Sequence, residues 1–147
     1  MATRRFEASV AMDVSPEAVF DWIADYRNVP RVVDGISRWE PSGRQTTGRG
    51  ARFDVEMKTL GVPLANELEL VDWDRPRRIG WRSRSGLIKQ EGGWTIVKRR
   101  DGVAVTLRIE YEPPAAAVGN LLAGPVEALA RRRLQQALQR IAEELEA

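Results

Sequence analysis

Apolar and polar residues alternate from Arg5 to Val14. Phe6, Ala8, Val10, Met12 and Val14 fall on one side, and Glu7, Ser9 and Asp13 on the other. A period of two sends successive side chains to opposite faces, so this stretch predicts a half-buried strand. At Ser15-Pro16-Glu17 the pattern becomes that of a helix start. Serine supplies an oxygen for an early backbone N–H, and proline stands at the first helical position, where its missing donor is not needed. The predicted helix runs to about Asp25 and buries Val19, Phe20 and Ile23, with Trp22 and Tyr26 near its edge. Asn28-Val29-Pro30 begins a second short helix through about Asp34, which Gly35 ends.

From Ile36 to Tyr111 the period is two again. Gly48-Arg49-Gly50, Gly61-Val62-Pro63, Asp74 to Arg77, Ser85-Gly86 and Asp101-Gly102 read as turns. They predict strands near 36–46, 51–60, 64–73, 78–85, 88–100 and 103–112. Connections this short make neighbouring strands antiparallel. The inward face is predicted to carry Phe53, Val55 and Met57; Leu64, Asn66, Leu68 and Leu70; Ile79, Trp81 and Ser83; Trp94 and Ile96; and Val103, Val105, Leu107, Ile109 and Tyr111. Ile36 and Trp39 fall on opposite phases, which a bulge would reconcile. A four-residue loop at Asp74–Arg77 would pair Trp73 with Arg78, Leu70 with Trp81 and Leu68 with Ser83. Outside, it would set Glu69 against Arg82 and Glu67 against Arg84. A two-residue turn at Asp101-Gly102 would pair Trp94 with Ile109 and Ile96 with Leu107.

Pro113-Pro114 ends this series, and a long helix is predicted from Asn120 to Ala147. Val126, Leu129, Ala130, Leu134, Ala137, Leu138, Ile141 and Leu145 recur at three- and four-residue steps, which places them on one face. Arg131, Arg132, Gln135, Gln139 and Glu143 form the other. Gly124-Pro125 predicts a kink or a short separate turn before the main helix. Ala123, Ala130 and Ala137 recur every seven residues. Such short side chains would leave room beneath the helix, although alanine is also simply the best helix former. The element order, β-α-α-β6-α, predicts one α+β domain over residues 1–147. The last helix is the only segment long and apolar enough to cover the sheet.

Composition narrows the chemistry. The 147 residues include no cysteine and no histidine. That excludes a disulfide framework, thiol catalysis, thiolate metal sites and the usual general base. No cofactor or metal is implied. No stretch approaches the roughly 20 apolar residues of a membrane helix, and the first residues do not read as a secretory signal. A cytoplasmic location is the expectation. A net charge of +2 gives little argument for nucleic acid. Arg75, Arg77, Arg78, Arg82 and Arg84, with Arg131, Arg132 and Arg133, could form a basic surface, but the predicted register gives Arg82 and Arg84 acidic partners, and no outward aromatic row accompanies them. No nucleic-acid partner is expected.

The segment from Val14 to Asp25, followed by Asn28-Val29-Pro30, resembles the opening of the polyketide cyclase/dehydrase and lipid-transport group. This group belongs to the START-like (SRPBCC, birch-pollen-allergen-like) superfamily. The element order agrees over the whole chain, including a Gly-Trp-Thr strand start at Gly93-Trp94-Thr95. The resemblance implies a helix-grip fold: a curved seven-stranded antiparallel sheet around the C-terminal helix, with an apolar cavity between them. It also implies a cavity mouth around Val29 to Ile36, Gly86 to Ile88 and Val118 to Pro125. Members bind lipids, sterols, quinones, polyketides or plant hormones, and a minority are enzymes.

Three inward positions in this chain are polar or small among apolar neighbours: Asn66, Ser83 and the alanine series. The candidate lining is therefore Phe53, Val55, Met57, Asn66, Leu68, Leu70, Trp81, Ser83, Trp94, Ile96, Leu107, Ile109, Ala130 and Leu134. Asn66 and Ser83 would orient a ligand by hydrogen bonds. The aromatase/cyclase members are similar at Trp94, but they also carry an inward arginine and a tyrosine where this chain has Leu70 and Ile36. The expected function is binding of a small hydrophobic molecule by a monomer or weak dimer: a lipid, an isoprenoid or quinone, or an aromatic polyketide. A cyclase/dehydratase is the alternative; it would need an inward carboxylate, Lys or Tyr near the mouth, and Asp34, Asp72 or Tyr111 in the cavity would favour it. A protein- or ribosome-interaction module is the second alternative.

Overall fold

The strands predicted between Arg5 and Tyr111 close into one antiparallel sheet. The computed structural model describes residues 4–59, 62–86, 89–112 and 118–147, with the backbone alone for 59, 62 and 118–126. In chain order the elements are β1 (Arg4–Met12), α1 (Pro16–Ala24), α2 (Val29–Val32), β2 (Ile36–Pro41), β3 (Arg52–Thr59), β4 (Val62–Asp74), β5 (Arg78–Gly86), β6 (Lys89–Arg99), β7 (Gly102–Glu112) and α3 (Val118–Glu146). The sheet order is β1-β7-β6-β5-β4-β3-β2. This is the seven-stranded helix-grip arrangement. Ser15 caps α1 as its chemistry predicts, accepting the Ala18 N–H at 3.2 Å, and α1 buries Val19, Phe20 and Ile23.

Two ties fix α3 alongside β1. Arg4 Nη1 donates to Glu127 Oε1 at 2.9 Å, and the Asp13 N–H donates to Glu146 Oε1 at 3.0 Å. The lengths match: the strand from 4 to 13 covers about 30 Å at about 3.3 Å per residue. The helix from 127 to 146 covers about 29 Å at about 1.5 Å per residue. Leu134, Ala137, Leu138 and Ile141 are buried as the stripe predicts. The separate turn predicted at Gly124-Pro125 is not present, because α3 is one helix through both residues. Proline removes one helical hydrogen bond but does not have to end the helix.

The registers correct several expectations. In β4–β5, Leu70 pairs with Trp81, Leu68 with Ser83 and Glu69 with Arg82, as predicted. Irregularities between Glu67/Leu68 and Leu70/Asp72 shift both ends by one. Trp73 therefore pairs with Ile79 rather than Arg78, and Glu67 with Ser85 rather than Arg84. Trp94 pairs with Leu107 and Ile96 with Val105, two residues from the predicted partners. The turn is Arg100-Asp101, and Gly102 opens β7 with φ +123° against the Met12 backbone. Only glycine combines that φ with so close an approach. In β2 the predicted conflict is resolved by a register shift between Ile36 and Arg38. β2 is shorter than predicted and ends at Pro41. The following loop is shaped by Gln45 Nε2, which donates to the carbonyls of Thr47 and Arg49 at 2.9 and 2.7 Å. Ser85-Gly86, predicted as a turn, instead forms the last two residues of β5, and the Pro113-Pro114 stop lies outside the described residues.

The interior has two parts. Met12, Val19, Phe20, Val103, Val105, Leu138 and Ile141 are fully enclosed and form a solid core under the C-terminal half of α3. Each such side chain stabilises the fold by about 1.5–3 kcal/mol relative to exposure. From Leu134 toward the other end of the sheet, the packing opens.

Candidate functional site

Beyond Leu134 the sheet and helices enclose a cavity of about 90 Å³. Its floor is Phe53, Val55 and Met57 of β3, Leu68, Leu70 and Trp73 of β4, Ile79 and Trp81 of β5, Trp94 of β6, and Leu107 and Ile109 of β7. Ile23 and Ala24 of α1, with Tyr26, Val29 and Val33, close one end, and Ile36 and Trp39 of β2 line one side. Aromatic contacts brace these walls. Trp39 stacks on Phe53 at 5.9 Å, Tyr26 tilts over Phe53 at 5.8 Å, and Phe20 meets Trp73 edge-on at 5.2 Å. No charged side chain lines the cavity among the described residues. Thr46, Gln90 and the phenol of Tyr26 are its polar members.

Ten predicted lining residues surround this space: Phe53, Val55, Met57, Leu68, Leu70, Trp81, Trp94, Leu107, Ile109 and Leu134. The other four stand elsewhere. Ile96 belongs to the solid core. Ala130 is half-buried against the core but off the cavity wall, and Ala137 is completely enclosed. Short side chains there are filled around rather than leaving room. Ala123 and Val126 lie outside the described side chains. Ser83 is committed to the sheet: its Oγ accepts the Gln90 N–H at 3.0 Å, where the β5–β6 ladder has stopped. Asn66 pairs with Gly86, and its Oδ1 is buried without a partner among the described residues, 2.5 Å from where a Gly86 Cβ would stand.

Sequence reasoning missed Ile23, Ala24, Tyr26, Trp39 and Thr46 on the second wall, and also Trp73 and Gln90. Gln90 was legible, since it shares the phase of Trp94. Trp73 was not: strict alternation puts it opposite Leu70, and the irregularity between Leu70 and Asp72 turns it inward. Of the implied mouth, Val29, Val33 and Ile36 do line the cavity. Leu87, Ile88 and the side chains of 118–126 lie outside the described residues.

Past the Arg82–Glu91 pair, β5 and β6 diverge around a polar groove of about 330 Å³. Arg82, Arg84, Lys89, Glu91, Glu110 and Tyr111 are among its walls, and Gln90 is shared with the cavity. Arg84 bridges Glu69 at 2.8 Å and Glu67 at 3.7 Å, whereas Arg82, though opposite Glu69, has no carboxylate within 4.0 Å among the described residues. Tyr111 stacks on Phe6 at 5.5 Å. Its phenol is pushed above its ordinary value, chiefly by burial and further by the Glu127 carboxylate. Asp34 is bound by Arg140, and Asp72 by Arg78 at 3.2 Å. None of these three candidate acids reaches the cavity wall. Among the described residues no cluster of acidic groups could hold a metal ion, and no helix is long and apolar enough to cross a membrane.

The model of one family, described as polyketide cyclase/dehydrase and lipid transport, matches residues 3–146. The chain belongs to that family. Solved structures share the fold of this polyketide cyclase/dehydrase and lipid-transport member across nearly its full length. TTHA0849 from Thermus thermophilus is similar with a TM-score of 0.83 at 21% identity, over 97% of each chain. The ZhuI aromatase/cyclase from a Streptomyces species gives 0.74 at 16%, over 99% of this chain and 94% of that one. A START superfamily protein from Mycobacterium smegmatis gives 0.70 at 17%, over 96% and 98%. No protein of curated function matches this family member significantly.

Proposed function

We propose that the protein binds a small hydrophobic molecule between the sheet and α3, of the lipid, isoprenoid or aromatic polyketide class. One observation carries this reading: a cavity walled by apolar and aromatic side chains, with no charged group on its surface among the described residues. A polar substrate would lose its hydration there without replacement. An apolar one gains about 25 cal/mol per Å² buried. The family also includes cyclases, but acid–base work on a polyketide needs a titratable group within hydrogen-bond reach. Asp34, Asp72 and Tyr111 stand off the wall, and the Tyr26 phenol is its one titratable side chain among the described residues, with no second acid or base beside it on the wall. The volume of about 90 Å³ is below the roughly 300–1,000 Å³ of pockets for drug-sized ligands. A long ligand therefore requires wall residues to move, and the unbranched Met57 is the most adaptable of them.

The test is native mass spectrometry of the purified protein, followed by solvent extraction. A co-purifying apolar molecule, displaced by added ligand of the same class, is the expected result. A protein that takes up no apolar probe from a panel of fatty acids, isoprenoids and polycyclic aromatics does not have this function.

A further inference from the structure

Arg133 is the one half-buried cation among the described residues with no carboxylate within 4.0 Å. The other half-buried arginines are paired: Arg4 with Glu127 at 2.9 Å, Arg108 with Glu110 at 3.7 Å and Arg140 with Asp34 at 2.8 Å. Arginines without a carboxylate elsewhere, such as Arg38, Arg82 and Arg132, are exposed. Arg133 makes one hydrogen bond, from Nη2 to the Lys58 carbonyl at 2.8 Å. Its Nε is buried with no acceptor among the described residues. The Asp34 carboxylate does act on it electrostatically, but Arg140 already holds both Asp34 oxygens, at 2.8 and 3.3 Å. A guanidinium does not escape this cost by losing its proton at ordinary pH.

Its position gives the unused donors a purpose. The guanidinium lies against Gly35, where a Cβ would come 2.6 Å from Arg133 Cζ. Gly35 precedes Ile36, Lys58 follows Met57, and Arg133 precedes Leu134. Ile36, Met57 and Leu134 all line the cavity. The cation therefore stands at the rim, one residue away from the wall on three separate elements.

We propose that Arg133 receives the carboxylate of an apolar acid whose hydrocarbon body occupies the cavity. The inference rests on the cavity reading above and narrows it. A planar guanidinium matches a carboxylate fork to fork. One unpaired positive charge suits a monoanion. The Lys58 carbonyl bond holds the side chain in place, so little rotamer freedom remains to be lost on binding.

The experiment compares octanoate with octanamide, two ligands of one chain length that differ in charge. Each is titrated into the 15N-labelled protein and followed by NMR. The native protein is expected to bind octanoate about tenfold or more tightly than octanamide, with the Arg133 Nε–H resonance moving for octanoate alone. Arg133→Gln should bring octanoate down to the octanamide level and leave octanamide unchanged, while Arg133→Lys restores part of the preference. Thermal melts confirm that both variants fold. Equal affinities in the native protein, or a preference that survives Arg133→Gln, overturn the assignment while octanamide binding leaves the cavity reading standing. If the native protein binds neither probe, the cavity reading fails for alkyl chains and this assignment fails with it.

Discussion

Trp81 lies across Gly92. The two are directly paired between β5 and β6. A Cβ on Gly92 would come 2.5 Å from Trp81 Cζ2 and 2.5 Å from the Arg108 carbonyl oxygen. The missing side chain is what lets the indole settle on the sheet while its other side borders the cavity. Gly92→Ala is therefore expected to push the indole away and to strain the β6–β7 ladder. Overpacking of this kind destabilises by about 1–3 kcal/mol, read as a lower urea midpoint with an unchanged slope. A variant as stable as the native protein would show that the contact relaxes without consequence.

The same pair shows how far the sequence could be read. Trp81 was placed inward by alternation alone, and its partner Leu70 on β4 followed from turn chemistry. Where the ladder is regular, the period of two is enough. It fails where one extra residue enters a strand. The irregularity between Leu70 and Asp72 carries Trp73 into the cavity wall, and no local residue type announces it. The turn at Arg100-Asp101 was misjudged for a related reason. Asp-Gly has the chemistry of a hairpin centre, but Gly102 is needed where β1 passes close by, which is a tertiary fact. Of the wall formed by α1, α2 and β2, only the stretch from Val29 to Ile36 was legible, through the implied mouth, because side chains brought together by a sheet's curl share no period. The alanine spacing in α3 was legible as packing, and was misread as room.

Asp34 ties the α2–β2 connection to α3. Hydrogen bonding from Arg140 holds its carboxyl below the usual carboxylate range, against the opposing effect of desolvation. A carboxylate whose folded pKa is depressed contributes stability above its unfolded pKa, near 4, and loses it as pH falls through the folded value. Asp34→Asn should thus lower the urea midpoint at pH 6, with the difference from native fading below about pH 4. Asp34 is exposed and Arg140 only half-buried, so the shift should be small and should shrink further in high salt. A difference that persists unchanged at pH 2 would assign the effect to packing instead of charge.

Tyr111 gives the opposite sign. Burial first, then the Glu127 carboxylate, raises its phenol above the ordinary value near 10. The folded protein holds that proton more tightly than the unfolded chain, so the associated stability is complete below about pH 10 and declines as pH rises toward the folded value. Ultraviolet difference titration of native protein against Tyr111→Phe should isolate a tyrosinate signal that develops late. Glu127→Gln should bring it to lower pH by removing one of the two causes. A Tyr111 signal at or below the ordinary value would contradict the enclosure described for this ring.

Ala130 and Leu134 stand one turn apart on α3, yet only Leu134 reaches the cavity. That separates two substitutions that sequence periodicity treats alike. Leu134→Phe adds volume directly into a space of about 90 Å³ and should weaken binding of the neutral probe octanamide by about tenfold, the equivalent of about 1.4 kcal/mol. Ala130→Leu adds comparable bulk off the wall, so it should leave octanamide affinity unchanged, whatever it does to stability. Binding isotherms for both variants, each checked by thermal melting, decide the matter. If Ala130→Leu weakens binding and Leu134→Phe does not, the ligand lies nearer the first part of α3 than the cavity described here.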